Sequence, residues 1–521
     1  MRKPSRPPGA HLLLLTVIAL ALLLLIVAFP VRDPIRDALP SVTSFDRFFA
    51  LNARYIKKAL DLNPEAEGFL YHQLRTDPGH AGRSLESLLD ACWHEDAYCA
   101  PLVTYYLQVS GTLNQKIPFS SMKPDACQAI EKLCAPQPVP MKACRPEVLC
   151  ELSRRNLQAF PDRLRSQMAD LMACSTQAAA AFESLRGDLN PQKVVERLSQ
   201  LEQDAEGGVA RSVEEALKKA GTAVSRRELA CAWFSLLDYC DCLDRVLTEL
   251  HGSQFIVEAK ALPESDAFPP GILYVSYTDY GTVLIGGPED NLYPAGDAFL
   301  IIDLGGNDTY LFDRSLVADR TDAAMAGCCT IIDLNGNDFY TGGSGVVAAG
   351  ILGFGTIADL GGHDLYRAGT FGLGAGFMGL GLLIDTEGDD GYVAGPFSLG
   401  AAVQGIGLVM DEQGDDVYKS GSLSQAFAGP LGMGCLIDSG GYDMYDCVSS
   451  TPSGMKHRPG FSQACFMAMD SLGEESGTAL LLDLDGDDRY HCDIGGQGAA
   501  LGRGVALLLD ARGYDIYYGR T

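Results

Sequence analysis

The chain has 521 residues, a formal net charge of −27 and a sequence pI of about 4.6. This length exceeds what one hydrophobic core usually supports, so we expect a multidomain protein. An acidic chain lacks the basic surface that nucleic-acid binding needs, and we therefore expect no nucleic-acid partner.

The N-terminal segment predicts a membrane anchor. Residues 12–29 form an uninterrupted apolar run that follows several basic residues and is just long enough to span a bilayer. We interpret residues 1–30 as an uncleaved transmembrane signal anchor, in preference to a cleaved signal peptide, because Phe29 and Pro30 stand where a small-residue cleavage site would be expected. Positive charge before the run places the N-terminus in the cytoplasm. Either interpretation exports the rest of the chain, so we predict a single-pass protein of the cell membrane with its bulk in the periplasm or outside the cell.

Residues 31–261 predict an all-α, cysteine-rich domain. Apolar residues recur at helical spacing, and ten of the 16 cysteines lie between Cys92 and Cys242. Disulfides are the expected state of cysteines in an exported protein. Two helices packed antiparallel would allow the bonds Cys92–Cys134 and Cys99–Cys127, which is our hypothesis for their connectivity.

Residues 262–271 are rich in proline and predict a linker, after which residues 272–521 change to short strand-like segments. Residues 272–277 and 282–285 predict two strands joined as a hairpin at the start of a repeat array. The motif D-x-x-G-x-D-x-Y then occurs eight times, with first aspartates at Asp303, Asp333, Asp359, Asp385, Asp411, Asp438, Asp483 and Asp510. Most of these are 26 or 27 residues apart. A fixed period of this length predicts a solenoid, and the abundant glycine favours a parallel β-solenoid of about eight coils over a helical array.

Stacking the coils would place the aspartates in two columns of like charge, and such columns need a stabilising partner. One alternative is that each aspartate accepts hydrogen bonds from its own turn, and we favour this for the first aspartate of each motif. The other alternative is Ca²⁺ bound between successive turns, and we favour this for the second aspartate in at least some coils. The candidate calcium ligands are Asp308, Asp338, Asp364, Asp390, Asp416, Asp443, Asp488 and Asp515.

The turns carry a resemblance to a known family. Residues 334–343, Leu-Asn-Gly-Asn-Asp-Phe-Tyr-Thr-Gly-Gly, and residues 305–310 resemble the glycine-rich nonapeptides of RTX (haemolysin-type) calcium-binding repeats. The resemblance covers only the turn of each coil. It implies a secreted protein with Ca²⁺ between coils, and it implies Asp308, Asp338, Asp390 and Asp416 as ligands.

The tyrosine of each motif predicts an aromatic column. Because Tyr follows the second Asp by two residues, both should lie on one face of the strand. We favour a buried stack that packs coil on coil over the alternative, an exposed platform for sugars.

The sequence contains no P-loop, no dinucleotide fingerprint and no convincing catalytic triad. The favoured function is therefore a binding or scaffolding module, anchored through residues 12–29, with a polysaccharide or an envelope protein as partner. The alternative is a carbohydrate-active β-helix enzyme, a polysaccharide lyase or an epimerase. Such an enzyme would need basic residues gathered in one groove, and the candidates are His363, Arg367, His457, Arg458, His491 and Arg503.

Overall fold

A computed structural model describes residues 99–109, 146–186, 226–252, 259–263, 268–312, 328–429, 431–447, 467–468, 477–492, 497–500 and 505–519. The predicted anchor at residues 12–29 lies outside these ranges. Within them, no helix combines the length and the apolar composition needed to cross a bilayer.

Four helices form the helical part of the described chain: α1 (Ala100–Val109), α2 (Pro146–Leu157), α3 (Asp162–Arg186) and α4 (Arg226–Gly252). They agree with the helical periodicity of the sequence. The side chains of Leu171 and Phe182 on α3, and of Trp233 and Leu243 on α4, belong to one buried cluster. Burying an apolar side chain of this size stabilises the fold by roughly 1.5–3 kcal/mol.

A disulfide joins the first helix to the last. Cys99 is bonded to Cys240, 141 residues further along the chain. The predicted bond Cys99–Cys127 is therefore wrong, whereas Cys92–Cys134 lies outside the described residues. The physical reason is the packing of α1 against α4: the Asp244 carboxylate accepts the N–H groups of Cys99 and Ala100, each at 2.9 Å, and so holds the start of α1 one turn from Cys240.

The described strands follow residue 273. In chain order they are β1 (Tyr274–Thr278), β2 (Gly281–Ile285), β3 (Leu292–Tyr293), β4 (Ala298–Asp303), β5 (Thr309–Leu311), β6 (Cys328–Asp333), β7 (Phe339–Thr341), β8 (Gly350–Ile351), β9 (Phe354–Asp359), β10 (Leu365–Ala368), β11 (Gly376–Phe377), β12 (Leu380–Asp385), β13 (Gly391–Ala394), β14 (Ala402–Val403), β15 (Ile406–Asp411), β16 (Val417–Ser420), β17 (Met433–Asp438), β18 (Met444–Cys447), β19 (Met467–Ala468), β20 (Thr478–Asp483), β21 (Arg489–Cys492), β22 (Ala499–Ala500), β23 (Val505–Asp510) and β24 (Ile516–Gly519).

These strands build a parallel β-solenoid. A ten-stranded first sheet has the order β1-β2-β4-β6-β9-β12-β15-β17-β20-β23, and a nine-stranded second sheet has the order β24-β21-β18-β16-β13-β10-β7-β5-β3. Short sheets β14-β11-β8 and β19-β22 complete the coils. Equivalent residues pair in register, as Asp359 does with Asp385 and Tyr366 with Tyr392. The predicted solenoid is confirmed over about six turns. All eight motifs contribute a strand to each of the two main sheets.

The predicted hairpin at the start of the array is also confirmed, since β1 and β2 pair antiparallel with Tyr274 opposite Ile285. The predicted linker is partly buried: Leu262 is enclosed, and its N–H donates to the Ile272 carbonyl at 2.6 Å. The domain boundaries at residues 30, 261 and 271 stay predictions.

Strands of the first sheet are buried on both faces, as their continuous apolar sequences require. On one face, side chains such as Ile357 and Leu383 pack against the tyrosines of the second sheet. On the other face, Ile332 and Ile384 belong to the same cluster as the helices. The helices and the first sheet therefore share one hydrophobic core.

Tyr239 of α4 links that core to the sheet by hydrogen bonds. Its hydroxyl lies 2.8 Å from the Thr330 hydroxyl and donates to the Thr356 hydroxyl at 2.9 Å, and all three side chains are fully buried.

Replacing Tyr239 with phenylalanine leaves two buried threonines without this partner, and we expect a loss of roughly 1–3 kcal/mol in the free energy of unfolding. Tyr514→Phe is the control, because Tyr514 is 87% exposed. Denaturant unfolding of both variants measures the difference, and equal stabilities would contradict the role of this hydroxyl.

Candidate metal centre

The first aspartate of each motif ends a strand of the first sheet and begins a turn. In five of the eight motifs its Oδ1 accepts the N–H two residues further on, as from Gly305 to Asp303 at 2.8 Å and from Gly440 to Asp438 at 3.0 Å. The Oδ1 atoms of Asp385 and Asp483 are buried without a hydrogen-bond partner. This is an Asx turn, so the hydrogen-bonded alternative that we favoured for the first column is confirmed in these five coils.

The second oxygen of the same carboxylate binds a tyrosine of the neighbouring coil. The hydroxyl of Tyr340 donates to Asp359 Oδ2 at 2.7 Å, and that of Tyr366 donates to Asp385 Oδ2 at 2.6 Å. Burial raises the pKa of these phenols well above its usual value, so they stay neutral donors. The sequence contains the tyrosine at a fixed distance after each first aspartate, but it does not reveal this bond between coils.

The tyrosines form the predicted stack. Successive rings lie nearly parallel with centroids 4.5 to 5.0 Å apart, from Tyr293 to Tyr517. The rings from Tyr310 to Tyr490 are fully buried. The sugar-platform alternative is therefore wrong, because no saccharide can reach these faces.

The second aspartates form a line of their own, on the same buried side as the tyrosines. From Asp338 onward, each Oδ1 accepts the backbone N–H of the second aspartate in the preceding coil, as from Asp364 to Asp390 at 2.5 Å and from Asp390 to Asp416 at 2.6 Å, whereas Asp308 Oδ1 accepts the Asn291 N–H. At the last described coil, Asp515 is half-buried and accepts the Asp488 N–H at 3.1 Å. The structure thus brings together all eight residues that the sequence singled out as candidate ligands.

The other oxygen of these carboxylates has no donor. Within the described part of the chain, the Oδ2 atom is buried without a hydrogen-bond partner in Asp308, Asp338, Asp364, Asp390, Asp416, Asp443 and Asp488. A buried carboxylate oxygen without a donor is costly, because it loses its hydration and gains nothing in return. A row of such atoms along the solenoid requires a proton or a cation as its partner.

Carboxylates from adjacent coils meet in groups of three. In each group, one oxygen of every member lies within 4.8 Å of the others. Five groups are Asp303–Asp308–Asp333, Asp333–Asp338–Asp359, Asp364–Asp385–Asp390, Asp390–Asp411–Asp416 and Asp416–Asp438–Asp443, and two more occur among the described residues. We call this arrangement the carboxylate column.

Burial and mutual repulsion disfavour full ionisation of the carboxylate column. Loss of hydration, with added repulsion from neighbouring aspartates, raises the pKa of Asp308 and Asp416 to about 8 and that of Asp364 to about 9. It raises the pKa of Asp385 well above its usual value. At neutral pH the column must therefore bind protons or cations. Because each coil contributes two carboxylates, one divalent cation per coil balances the charge.

The donor chemistry restricts the type of cation. The five groups named above consist of aspartates alone, and carboxylate oxygens suit hard cations such as Ca²⁺ and Mg²⁺. Zinc sites usually contain histidine or cysteine. The residues present therefore fit a hard divalent cation.

The basic residues of the enzymatic alternative are dispersed in the part of the chain that the structure describes. His363 lies on the outer turns, where its Nδ1 accepts the Asp389 N–H at 2.7 Å. His491 Nδ1 lies 3.0 Å from Asp446, on the outer face of the second sheet. Arg367 is in the same lengthwise row as His491 but four strands away, which is about 19 Å at the usual strand spacing. His457, Arg458 and Arg503 lie outside the described residues.

No protein-family model, curated protein or solved structure matches this chain.

Proposed function

We propose that residues 272–521 form a cation-stabilised β-solenoid that serves as a binding or scaffolding module, with Ca²⁺ held between coils in the carboxylate column. The observation that carries this proposal is the row of buried Oδ2 atoms that receive no hydrogen bond. Calcium binds six to eight oxygen ligands in flexible geometry, which suits carboxylates gathered from two coils.

The column supports a structural role for the ion rather than a catalytic one. The aspartates of the five named groups are at most 4% exposed. In the first group, Asp303 and Asp308 each accept a backbone N–H, from Gly305 and Asn291 respectively. A substrate could not reach an ion enclosed in this way. We therefore favour the binding or scaffolding module over a lyase or an epimerase.

A polysaccharide or an envelope protein remains our proposed partner. The surface that supports it is the outer side of the second sheet and its turns, which carries the exposed rings of Tyr442, Tyr514 and Tyr518. Tyrosine offers a large apolar surface together with a hydroxyl and is common where proteins bind partners. The apolar segment at residues 12–29 supports anchoring of this module at the membrane.

The proposal predicts that calcium raises the thermal stability of the full chain. An ion that binds only the folded state adds about 2.7 kcal/mol per site when its free concentration is a hundred times its Kd. Thermal unfolding in chelator and in rising calcium, at pH 8, measures the shift. An unchanged midpoint in millimolar calcium would remove calcium from the proposal and leave protons as the partner of the column.

Adjacent aspartates of one turn provide a matched pair of variants. Asp416 is buried in the column, whereas its neighbour Asp415 is exposed, and each accepts one backbone N–H from another coil. Asp416→Asn should reduce the calcium-dependent shift, because it removes a ligand and a charge. In chelator at pH 8 the same variant should be at least as stable as the native chain, since it no longer carries a buried charge. Asp415→Asn should leave both results unchanged, and equal effects of the two variants would contradict the proposed site.

A further inference from the structure

Two cysteines outside the carboxylate column lie within bonding reach of each other. The sulfur of Cys174, on α3, is 2.7 Å from the sulfur of Cys242, on α4. A disulfide requires about 2.05 Å between sulfurs, so a small side-chain movement closes the remaining gap. The two residues are 68 positions apart, and the packing of α3 against α4 brings them together.

We propose that Cys174 and Cys242 form a second disulfide, which joins α3 to α4. The oxidant is a small-molecule or protein disulfide, the usual partner in thiol–disulfide exchange. Two S–H bonds break and one S–S bond forms between the cysteines. The S–S bond of the oxidant breaks, and its two halves leave as thiols that carry the two protons.

The surroundings of the two sulfurs indicate the order of these events. Cys174 is partly exposed and Cys242 is buried, so the oxidant reaches Cys174 first and forms a mixed disulfide with it. The guanidinium of Arg245 places Nη2 3.0 Å from the Cys242 sulfur. A cation at this distance stabilises a thiolate, and the thiolate is the form that attacks. Cys242 then displaces the bound half of the oxidant from Cys174, and Arg245 acts as a positioning residue.

The second disulfide would make α4 the helix that is covalently linked to both α1 and α3. Cys240 is already bonded to Cys99 at the start of α1. Residues two apart on a helix point in nearly opposite directions, so Cys240 and Cys242 serve opposite sides of α4. Tyr239, one residue before Cys240, holds the first sheet through Thr330 and Thr356. Two disulfides would therefore link α1 and α3 covalently to α4, the helix whose Tyr239 contacts the solenoid.

Peptide mapping of the full chain tests this inference. The chain is equilibrated with oxidised glutathione, denatured without reductant, alkylated and digested for mass spectrometry. We expect a peptide pair joined through Cys174 and Cys242, with Cys328 and Cys329 recovered as alkylated thiols, because both are free in the structure. Recovery of Cys174 and Cys242 as alkylated thiols, or bonded to other cysteines, would overturn the proposal.

A stability comparison separates the bond from the side chain that makes it. Cys174→Ser and the native chain should unfold at the same temperature in reductant, whereas the native chain should unfold at the higher temperature without reductant. Cys99–Cys240 is present in both chains, so it cancels in this comparison. Equal midpoints under oxidising conditions would contradict a stabilising disulfide. Neither result depends on whether the column binds calcium.

The role of Arg245 has its own test. Arg245→Gln should slow closure of the disulfide several-fold, as followed by the loss of alkylatable Cys242 after addition of oxidised glutathione. Arg163→Gln is the control, because Arg163 is exposed and pairs with Glu249 rather than with a thiol. Equal rates for both variants would exclude Arg245 as a positioning residue.

Discussion

Replacing Gly388 with alanine should destabilise the chain by roughly 3–5 kcal/mol, because the turn between the two aspartates leaves no space for a side chain. Gly388 has a φ of +154°, and an added Cβ would lie 1.8 Å from the Gly362 carbonyl oxygen of the preceding coil. That oxygen is backbone and cannot move without shifting the stacked coil. Both the backbone conformation and the clash therefore oppose the substitution. Denaturant unfolding of the full chain measures the loss.

A second glycine of the same coil provides the control. At Gly391, the nearest atom to an added Cβ is the Leu365 Cδ1 at 3.0 Å, which is the end of a flexible side chain. Gly391→Ala should change the free energy of unfolding by less than about 1 kcal/mol, because Leu365 can move aside. Similar losses in the two variants would contradict the prediction, because they would show that the close stacking of turns is not the reason why Gly388 excludes a side chain. Failure of Gly388→Ala to accumulate as folded protein, while Gly391→Ala does accumulate, would also confirm that Gly388 is the more sensitive position.

In a chelator, the full chain should lose several kcal/mol of stability as the pH rises from about 5 to about 8. Burial raises the pKa of Asp438 to about 6, of Asp390 to about 7 and of Asp416 to about 8 in the folded chain. An unfolded aspartate has a pKa of about 3.9. The folded state thus holds protons that the unfolded state has released. The stabilisation is complete below the unfolded pKa and disappears as the pH rises through the folded values, by up to about 1.4 kcal/mol per group and pH unit.

Calcium should change the slope of that dependence. The ion binds the deprotonated carboxylates, so its affinity increases as protons leave. In millimolar calcium, stability should stay level or increase between pH 5 and pH 8. Thermal unfolding at several pH values, with chelator and with calcium, measures both curves. Parallel curves would contradict calcium in the column, and a flat curve in chelator would contradict the raised pKa values themselves.

The fold of the solenoid could be predicted because one residue pattern recurs at a nearly constant step. Identical motifs stack in register, and Asp385 pairs with Asp411 as it does with Asp359. The two-residue spacing between the second aspartate and the tyrosine also predicted correctly that both share one face. Local hydrogen bonds were predictable for the same reason, since an Asx turn involves only residues two apart, as in Asp303 and Gly305.

Contacts that depend on three-dimensional packing could not be predicted. Tyr340 donates to Asp359 of the next coil, because the height of one coil and the gap between the sheets place its hydroxyl there. At the last described coil, Tyr517 donates instead to Asp510 of its own motif, and the sequence is the same in both cases. The bond Cys99–Cys240 likewise follows from the packing of two distant helices. Spacing within a helix, on which the prediction of Cys99–Cys127 depended, contains no information about that packing.

The number of calcium ions bound by the full chain tests the central claim most directly. Equilibrium dialysis against radioactive calcium at pH 7.5 should show several ions per chain, approaching one for each group of three aspartates in the carboxylate column. Most of them should be released at pH 5, as protons replace calcium on the carboxylates, and Asp416→Asn should bind fewer than Asp415→Asn. No calcium bound at millimolar free concentration, or equal binding by the two variants, would contradict the account and assign the column to protons.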